Sequence, residues 1–143
     1  MDFENYDAAI AETFLGLDID DPGLPGFLGI RTTEVGPGTM TAQIEVRPEL
    51  LNLFGTLHGG VLAALVDHVL GAVLYPVMPR GYWAATTEFK VNLIAPVRGG
   101  VLSARSEIVS MSKRTAVVRV DARCDDALVG AAQGTVTIVP PRQ

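Results

Sequence analysis

With 143 residues, of which 48% are hydrophobic and 19% charged, the sequence has the size and composition of a single globular domain. A formal net charge of −5 and the lack of any basic run argue against a nucleic-acid-binding protein. Cys124 is the only cysteine, so no intramolecular disulfide and no thiolate metal cluster is expected, and a reducing, cytoplasmic location is favoured. The low charged fraction also indicates that another subunit covers part of the surface.

Neither a signal peptide nor a membrane span is expected from the hydrophobic pattern. The N-terminal sequence MDFENYDAAIAETF is acidic and lacks the basic start and apolar centre of a signal peptide. Residues 61–78 are apolar over nearly the length of a membrane span, but they include Asp67, His68 and Pro76. We therefore expect a buried helix of a soluble protein and no contact with a membrane.

In chain order, the pattern predicts a helix, two strands, a long apolar helix and four further strands. The first helix covers residues 3–17, and the prolines and glycines at 20–26 end it. In the second strand, Met40, Ala42 and Ile44 alternate with polar residues, as in a strand with one buried face. The other predicted elements are strands at 27–35, 82–94, 101–109, 115–124 and 128–139 and the long helix at 59–77.

The long helix is apolar on nearly all sides, so it must be covered on nearly all sides. One curved antiparallel sheet wrapped around this helix does so with the elements available, which gives an α+β fold. The sequence contains no repeat and no linker that would divide it. The expected organisation is an N-terminal helical segment at residues 1–25 followed by one domain at residues 26–143.

His58, Gly59 and Gly60 stand where the long helix begins, and they form the first candidate site. The first turn of a helix has backbone N–H groups without internal partners and the positive end of the helix dipole. Glycines let a ligand approach these groups, so the position fits an oxyanion hole for acyl transfer. The alternatives are structural: a tight turn for the two glycines, a cap for His58 and an ordinary turn position for Asn52.

Asp67 lies in the middle of the same apolar helix. A buried carboxylate without a partner is costly, so Asp67 either faces water at a subunit rim or lies in a cavity where its charge has a use. Gly59 precedes it by eight positions, roughly 12 Å along the helix axis. If both residues act on one bond, two antiparallel helices of a dimer must bring them together. His68 points about 100° away from Asp67 and is interpreted as structural.

The stretch NLFGTLHGG at residues 52–60, with Asp67 seven positions after Gly60, closely resembles the hotdog-fold acyl-CoA thioesterases of the phenylacetate-pathway (PaaI-like) branch. The segment ATTEFKVNLIAPVRGG at residues 85–100 is similar to that family's strand and following proline turn. The likeness extends over residues 26–139. It implies a hotdog fold, dimers that pair into tetramers, and hydrolysis of acyl-CoA thioesters without a metal or organic cofactor.

The resemblance also implies roles for individual residues at the start of the helix. Asn52 and Gly59 would polarise the thioester carbonyl, and His58 would support the loop or the thioester end. Asp67 of the other subunit would activate water or attack the acyl carbon directly. Gly60, which completes the motif, is expected to contact the substrate.

Further positions are expected to hold the water and the CoA moiety. By the same resemblance, Thr86 would place the water, and an alignment error of one residue would exchange it with Thr87. The phosphates of CoA call for basic residues at a rim, for which Arg98, Lys113 and Arg114 are the candidates. The acyl pocket is expected to be apolar and to be built partly from the central helix and the N-terminal segment, and the residues expected to line it are Phe54, Leu70, Leu74 and Tyr75.

Three other functions fit parts of the pattern. An enoyl-CoA hydratase of this fold resembles a motif in which Asp precedes His by five residues, whereas here His58 precedes Asp67. A non-catalytic acyl-CoA sensor of this fold carries an added DNA-binding segment, and only about 25 residues precede the first predicted strand here. A structural homo-oligomer would not require Asp67. Aryl-acetyl, medium-chain and hydroxylated aromatic CoA esters all fit the sequence as substrates.

Overall fold

The computed structural model describes residues 3–17 and 22–142, which form one antiparallel sheet with a long helix lying across it. Two short helices, α1 (Ala8–Leu15) and α2 (Leu24–Leu28), precede the sheet. The long helix α3 spans Gly59–Ala72 and follows a single 3-10 turn at Pro48–Leu50. The six strands within the described residues are β1 (Arg31–Gly36), β2 (Thr39–Glu45), β3 (Trp83–Leu93), β4 (Val101–Met111), β5 (Thr115–Cys124) and β6 (Ala127–Val139).

The strands are ordered β1-β2-β4-β5-β6-β3, and every neighbouring pair is antiparallel. Among the described residues, β3 pairs with β6 on one side and with no strand on the other, so β1 and β3 are the two edges of the sheet. The predicted α+β class, with one antiparallel sheet around a central helix, is confirmed.

The inner face of the sheet and α3 form the hydrophobic core. Leu65, Val66, Val69 and Leu70 of α3 are fully buried. The inward residues of β2, β4 and β5 cover this helix, among them Met40, Ala42, Ile44, Leu102, Ala104, Val118 and Val120. The alternation of β2 and β5 is as predicted, because successive side chains of a strand point to opposite faces. Burial of each large apolar side chain contributes about 1.5–3 kcal/mol to stability.

The prediction of one strand over residues 27–35 is wrong in its first half. That part of the chain continues α2 to Leu28, and β1 begins only at Arg31. Pro25 lies in the first turn of α2, where its missing N–H has no cost, and Gly29 ends the helix with a φ of 71°. A proline at the start and a left-handed glycine at the end thus make a short helix from an apolar run.

The two predicted helices are shorter than the sequence pattern indicates. α1 begins after Asp7, whose carboxylate accepts hydrogen bonds from two N–H groups of the first turn, and Gly16 caps its end. α3 ends at Ala72, after which the N–H groups of Leu74 and Tyr75 donate to carbonyls three residues earlier, and Pro76 has no N–H with which to extend the helix. None of the helices in the described ranges is long and apolar enough to cross a membrane.

Candidate active site

The first turn of α3 leaves one backbone donor free. His58 is the N-cap residue, and its Nδ1 accepts a hydrogen bond of 2.9 Å from the Gly60 N–H. The Gly60 N–H is therefore already used, whereas the Gly59 N–H has no acceptor among the described residues. Of the two glycines, Gly59 is the one that offers a donor to a ligand.

Gly59 also lets the end of β3 close over the first turn of α3. A Cβ atom at Gly59 would lie 2.7 Å from Cδ1 of Leu93, the last residue of the strand. Leu93 is itself 60% exposed and forms one wall of a small open cavity of about 250 Å³. Asn52 and Thr56 line the same space, which we term the Gly59 cavity.

The side-chain amide of Asn52 folds the loop that precedes α3. Its Oδ1 accepts hydrogen bonds from the N–H groups of Phe54 (2.9 Å) and Thr56 (3.3 Å), and its Nδ2 donates to Oγ1 of Thr56 (2.9 Å). Gly55 permits this turn with a φ of 71°. An amide nitrogen carries two hydrogens, so in the described part of the chain one donor of Asn52 is left for a ligand.

Asp67 lies beside β3 in a second, larger cavity. This open space of about 900 Å³, which we term the Asp67 cavity, has walls from α3, residues 83–89 of β3, Phe14 of α1 and Tyr75. The carboxylate is exposed to solvent in the single chain, so the apolar helix carries it without a large desolvation cost. Asp67 therefore both lines a cavity and faces solvent in the single chain.

A bulge in β3 decides between the two neighbouring threonines. The pairing of β3 with β6 shifts by one residue between Thr86 and Glu88, so Thr87 is the extra residue. The Thr86 hydroxyl faces α3, and its Oγ1 lies 3.9 Å from where a Cβ of Gly71 would be. The Thr87 hydroxyl lies 2.6 Å from the Thr137 hydroxyl and is held by it. Both threonines line the Asp67 cavity, but Thr86 is the one whose hydroxyl faces the helix.

His68 lines the Asp67 cavity as well, which the sequence pattern does not predict. Burial lowers the pKa of His68, and the negative charge of Asp67 opposes this shift. A neutral imidazole thus lies next to the carboxylate. Asp67 and Gly71, four residues apart, mark the face of α3 that lines the cavity, and the cavity is wide enough to include the adjacent position of His68.

The expected acyl-pocket residues have different locations in the fold. Leu70 and Leu74 are fully buried in the core, and Phe54 is 85% exposed on the loop before α3. Tyr75 lines the Asp67 cavity, where it is joined by Phe14 and Trp83, which the sequence did not single out. Periodicity identifies apolar positions but does not distinguish a core position from a cavity wall.

The candidate basic residues lie at opposite ends of the sheet. Arg98 lies beside the loop that precedes α3, with its Nη1 3.5 Å from a carbonyl oxygen of that loop. Lys113 and Arg114 are in the turn between β4 and β5, next to Thr115. Thr115 of β5 and Ala85 of β3 pair with the same residue of β6, Thr137, so they lie at the same end of the sheet. Ala85 belongs to the end of β3 at the Asp67 cavity. Ala85 and Leu93 mark the two ends of β3 and are eight residues apart, roughly 25 Å along the strand at about 3.3 Å per residue.

The candidate residues therefore form two groups in one chain. Asn52 and Gly59 lie together in one cavity, whereas Asp67 and Thr86 lie together in the other, farther back along β3. None of the residues that line one cavity lines the other. In the described ranges, no three His, Cys, Asp or Glu side chains are grouped so as to hold a metal ion.

The lowered pKa of His68 predicts a pH dependence of stability. The unfolded chain takes up a proton on this imidazole near its ordinary pKa of 6.5, whereas the folded chain does so only at lower pH. The free energy of unfolding should therefore fall as the pH drops below 6.5, through the window between the two pKa values. His68→Gln lacks the titrating imidazole, so it should not lose this part of the free energy of unfolding. Its urea midpoint should therefore fall less than that of the wild type between about pH 7.5 and about pH 5.5.

His58→Asn is the matched control for this measurement, because Asn retains a helix cap and His68 is unchanged. It should show the same loss as the wild type. An equal loss in the wild type and in His68→Gln would contradict the assignment of the titration to His68.

Comparisons with known proteins place the chain in one family. The family model of the thioesterase superfamily matches residues 54–131, more than half of the chain. A variant of the phenylacetic acid degradation protein PaaI from Thermus thermophilus is 32% identical, and its structure has a TM-score of 0.72 over 78% of this chain and 95% of that one. A 1,4-dihydroxy-2-naphthoyl-CoA hydrolase of Listeria monocytogenes is 28% identical over 95 residues, which are 66% of this chain and 77% of that protein.

A solved structure of a thioesterase has the same fold. A thioesterase structure from Haemophilus influenzae is 22% identical and has a TM-score of 0.82, over 87% of this chain and 88% of that one. At that identity the likeness shows the fold alone, which is the hotdog arrangement of one antiparallel sheet around a central helix. From the family match and this fold, the chain belongs to the thioesterase superfamily and is a hotdog-fold thioester hydrolase.

Proposed function

We propose that the chain hydrolyses an acyl-CoA thioester to the free acid and CoA at two equivalent sites between two copies of itself. The observation that carries the proposal is the division of the candidate residues into two cavities, each with one half of the groups that thioester hydrolysis needs. The hydrolase of Listeria monocytogenes acts, by its name, on a CoA thioester, which supports CoA as the leaving group.

The Gly59 cavity supplies the electrophilic half of the site. A thioester carbonyl placed there receives the free Gly59 N–H at the positive end of α3 and the second N–H of Asn52. Both donors bind the oxygen more strongly as it becomes negative in the tetrahedral intermediate, and loss of one such donor costs about 100- to 1,000-fold in kcat. His58 holds the Gly60 N–H and so fixes the first turn of α3 in place.

The Asp67 cavity supplies the base or the nucleophile. In one route, Asp67 takes a proton from a water that the Thr86 hydroxyl holds, the water oxygen bonds to the acyl carbon, and the C–S bond breaks to release the thiolate, which takes up a proton. In the other route, the carboxylate bonds to the acyl carbon and expels the thiolate, and water then hydrolyses the anhydride. Both routes need a carboxylate open to the cavity, as Asp67 is.

The free edge of β3 joins the two halves when two chains pair. The outer side of β3 has backbone donors and acceptors that no described strand uses. Antiparallel pairing of β3 with its copy about a two-fold axis puts the Trp83 end of one strand against the Leu93 end of the other. The Asp67 cavity of each chain then meets the Gly59 cavity of its partner, and the dimer has two complete sites.

Charges on β3 favour one register for this pairing. Glu88 and Lys90 are exposed, lie on one face of the strand, and make no ion pair within the described residues. With the axis at Phe89, Glu88 of each chain lies opposite Lys90 of the other, which adds two cross-strand ion pairs. An axis at Glu88 would instead place like charges opposite each other. The same pairing covers Trp83 and Leu93, which are 52% and 60% exposed in the single chain.

Basic residues for the phosphates of CoA come from both chains of this dimer. Lys113 and Arg114 lie at the end of the sheet opposite Arg98, and the two-fold axis reverses the direction of the second sheet. Arg98 of one chain therefore lies at the same end of the joined sheet as Lys113 and Arg114 of the other. Charge-assisted hydrogen bonds to phosphate are the expected role of this set. The pairing of two such dimers into a tetramer stays a prediction.

Asp67→Asn tests the role of the carboxylate. The amide keeps the size and polarity of the side chain but cannot take a proton or attack, so hydrolysis should fall by at least about 100-fold. The measurement is free-thiol release from phenylacetyl-CoA, hydroxybenzoyl-CoA, hexanoyl-CoA and palmitoyl-CoA. Asp121→Asn is the matched control, because Asp121 is on the outer face of β5 and lines neither cavity. It should keep wild-type activity. Near-full activity of Asp67→Asn would show that the assigned role is wrong.

A wild-type protein that binds CoA esters tightly and hydrolyses none of the four would point instead to an acyl-CoA sensor.

Glu88→Lys and Lys90→Glu test the pairing of β3. Each single variant places like charges opposite each other on both sides of the axis, so the Kd of the dimer should rise by about tenfold in analytical ultracentrifugation. The double variant restores opposite charges and should dimerise as the wild type does. A double variant as impaired as the single ones would contradict this register.

A further inference from the structure

The Asp67 cavity has a wall that belongs neither to the sheet nor to α3. Phe14 of α1 lines the cavity together with Tyr75, and the centroids of the two rings lie 5.6 Å apart at an interplanar angle of 46°. Trp83 adds a third aromatic surface. No Lys or Arg is among the described residues that line this cavity, so it offers no partner to the phosphates of CoA. Its aromatic surfaces fit an apolar acyl group.

An ion pair between Asp7 and Arg80 holds the start of α1. Arg80 donates from Nε (2.7 Å) and Nη2 (2.6 Å) to Oδ2 of Asp7. Asp7 also accepts hydrogen bonds from the N–H groups of Ala9 and Ile10, and its own N–H donates to the carbonyl oxygen of Pro76 at 2.7 Å. The Arg80 hydrogen bond is the main cause that holds the pKa of the Asp7 carboxyl below its ordinary value. We term the contact between Asp7 and Arg80 the clasp.

α1 packs against β1, and Tyr6 just before it donates from its hydroxyl to the carbonyl oxygen of Val35, but the helix itself buries little. The helix has eight residues, too few for a stable helix without outside contacts, and Ala11 is the only one of them that is buried. Phe14 is half-buried against Tyr75. The clasp and this aromatic contact both attach α1 to the segment that follows α3, at residues 75–80. The clasp is thus the side-chain ion pair that ties the start of α1 to this segment, on the side of the cavity.

We propose that Phe14 is a specificity-determining residue that limits the length of the acyl group, and that Arg80, through Asp7, is a positioning residue that sets where Phe14 stands. The inference rests on the proposed function, because that function places the acyl carbon at Asp67 and the acyl group in the cavity beyond it. Asp67 and Gly71 are four residues apart on α3, roughly 6 Å along its axis, and Tyr75 with Phe14 lines the cavity beyond Gly71. A hexanoyl group fits in front of Phe14, whereas a palmitoyl chain must pass it.

Phe14→Ala tests the wall. With the ring removed, several CH2 groups of a long chain gain apolar contact, so kcat/KM for palmitoyl-CoA relative to hexanoyl-CoA should rise by at least about tenfold. Phe27→Ala is the matched control, because Phe27 is an exposed ring on α2 that lines no part of the cavity, and it should leave the ratio unchanged. An unchanged ratio in an active Phe14→Ala would overturn the inference and leave the proposed function intact.

Arg80→Met tests the clasp. The backbone N–H groups of α1 should exchange with solvent about two- to fivefold faster, because the helix loses an ion pair at its start. The palmitoyl-to-hexanoyl ratio should rise in the same direction, while kcat for hexanoyl-CoA stays within about twofold of the wild type. Arg119→Met breaks a comparable exposed ion pair, 2.8 Å from Glu107, and should change neither quantity.

The two claims fail in different ways. Unchanged exchange of α1 in Arg80→Met would overturn the positioning role, and this readout does not depend on turnover. A wild-type protein that hydrolyses none of the CoA esters would overturn the proposed function, and the role of Phe14 as an acyl-length limit with it.

Discussion

The geometry of one helix determines how this site can be built. Gly59 and Asp67 are fixed on the same rigid element, roughly 12 Å apart along its axis, so no loop movement brings them together within a chain. A carbonyl polarised at the first residue is out of reach of the second. In the proposed function, the missing half therefore comes from the α3 of another chain, which explains why a small hydrolase would need to be a dimer. The low fraction of charged residues, 19%, agrees with a surface that is partly covered.

β3 connects the fold to this requirement. An edge strand with open backbone groups is an aggregation risk unless something covers it. Here the free edge is the place where the two half-sites can meet, because one cavity lies along its first residues and the other at its end. Residues three positions apart on a regular strand point to opposite faces of the sheet. The bulge at Thr87 interrupts this alternation, so Thr86 and Phe89 both face α3. One extra residue thus lets the same strand place Thr86 in the Asp67 cavity and pack Phe89 against the core.

The sequence predicted the sheet and the central helix because alternation and apolar periodicity report burial directly. It failed at α2, since an apolar run fits a helix as well as a strand until Pro25 and Gly29 are taken as helix ends. The sequence names both glycines at the start of α3, but the difference between Gly59 and Gly60 depends on which N–H donates to the His58 ring. Phe14 was not named as a cavity wall, because periodicity marks it only as an apolar position of the first helix and does not show that it meets Tyr75.

A mixture of two inactive variants tests most directly whether each site draws its halves from two chains. Asp67→Asn leaves the Gly59 half intact, and Asn52→Ala leaves the Asp67 half intact. When equal amounts are unfolded together and refolded, about half of the dimers are mixed and each mixed dimer has one complete site, so about one quarter of wild-type activity should return. If both halves of a site came from the same chain, no mixed dimer would hold a complete site, and thiol release would stay at the level of the separate variants.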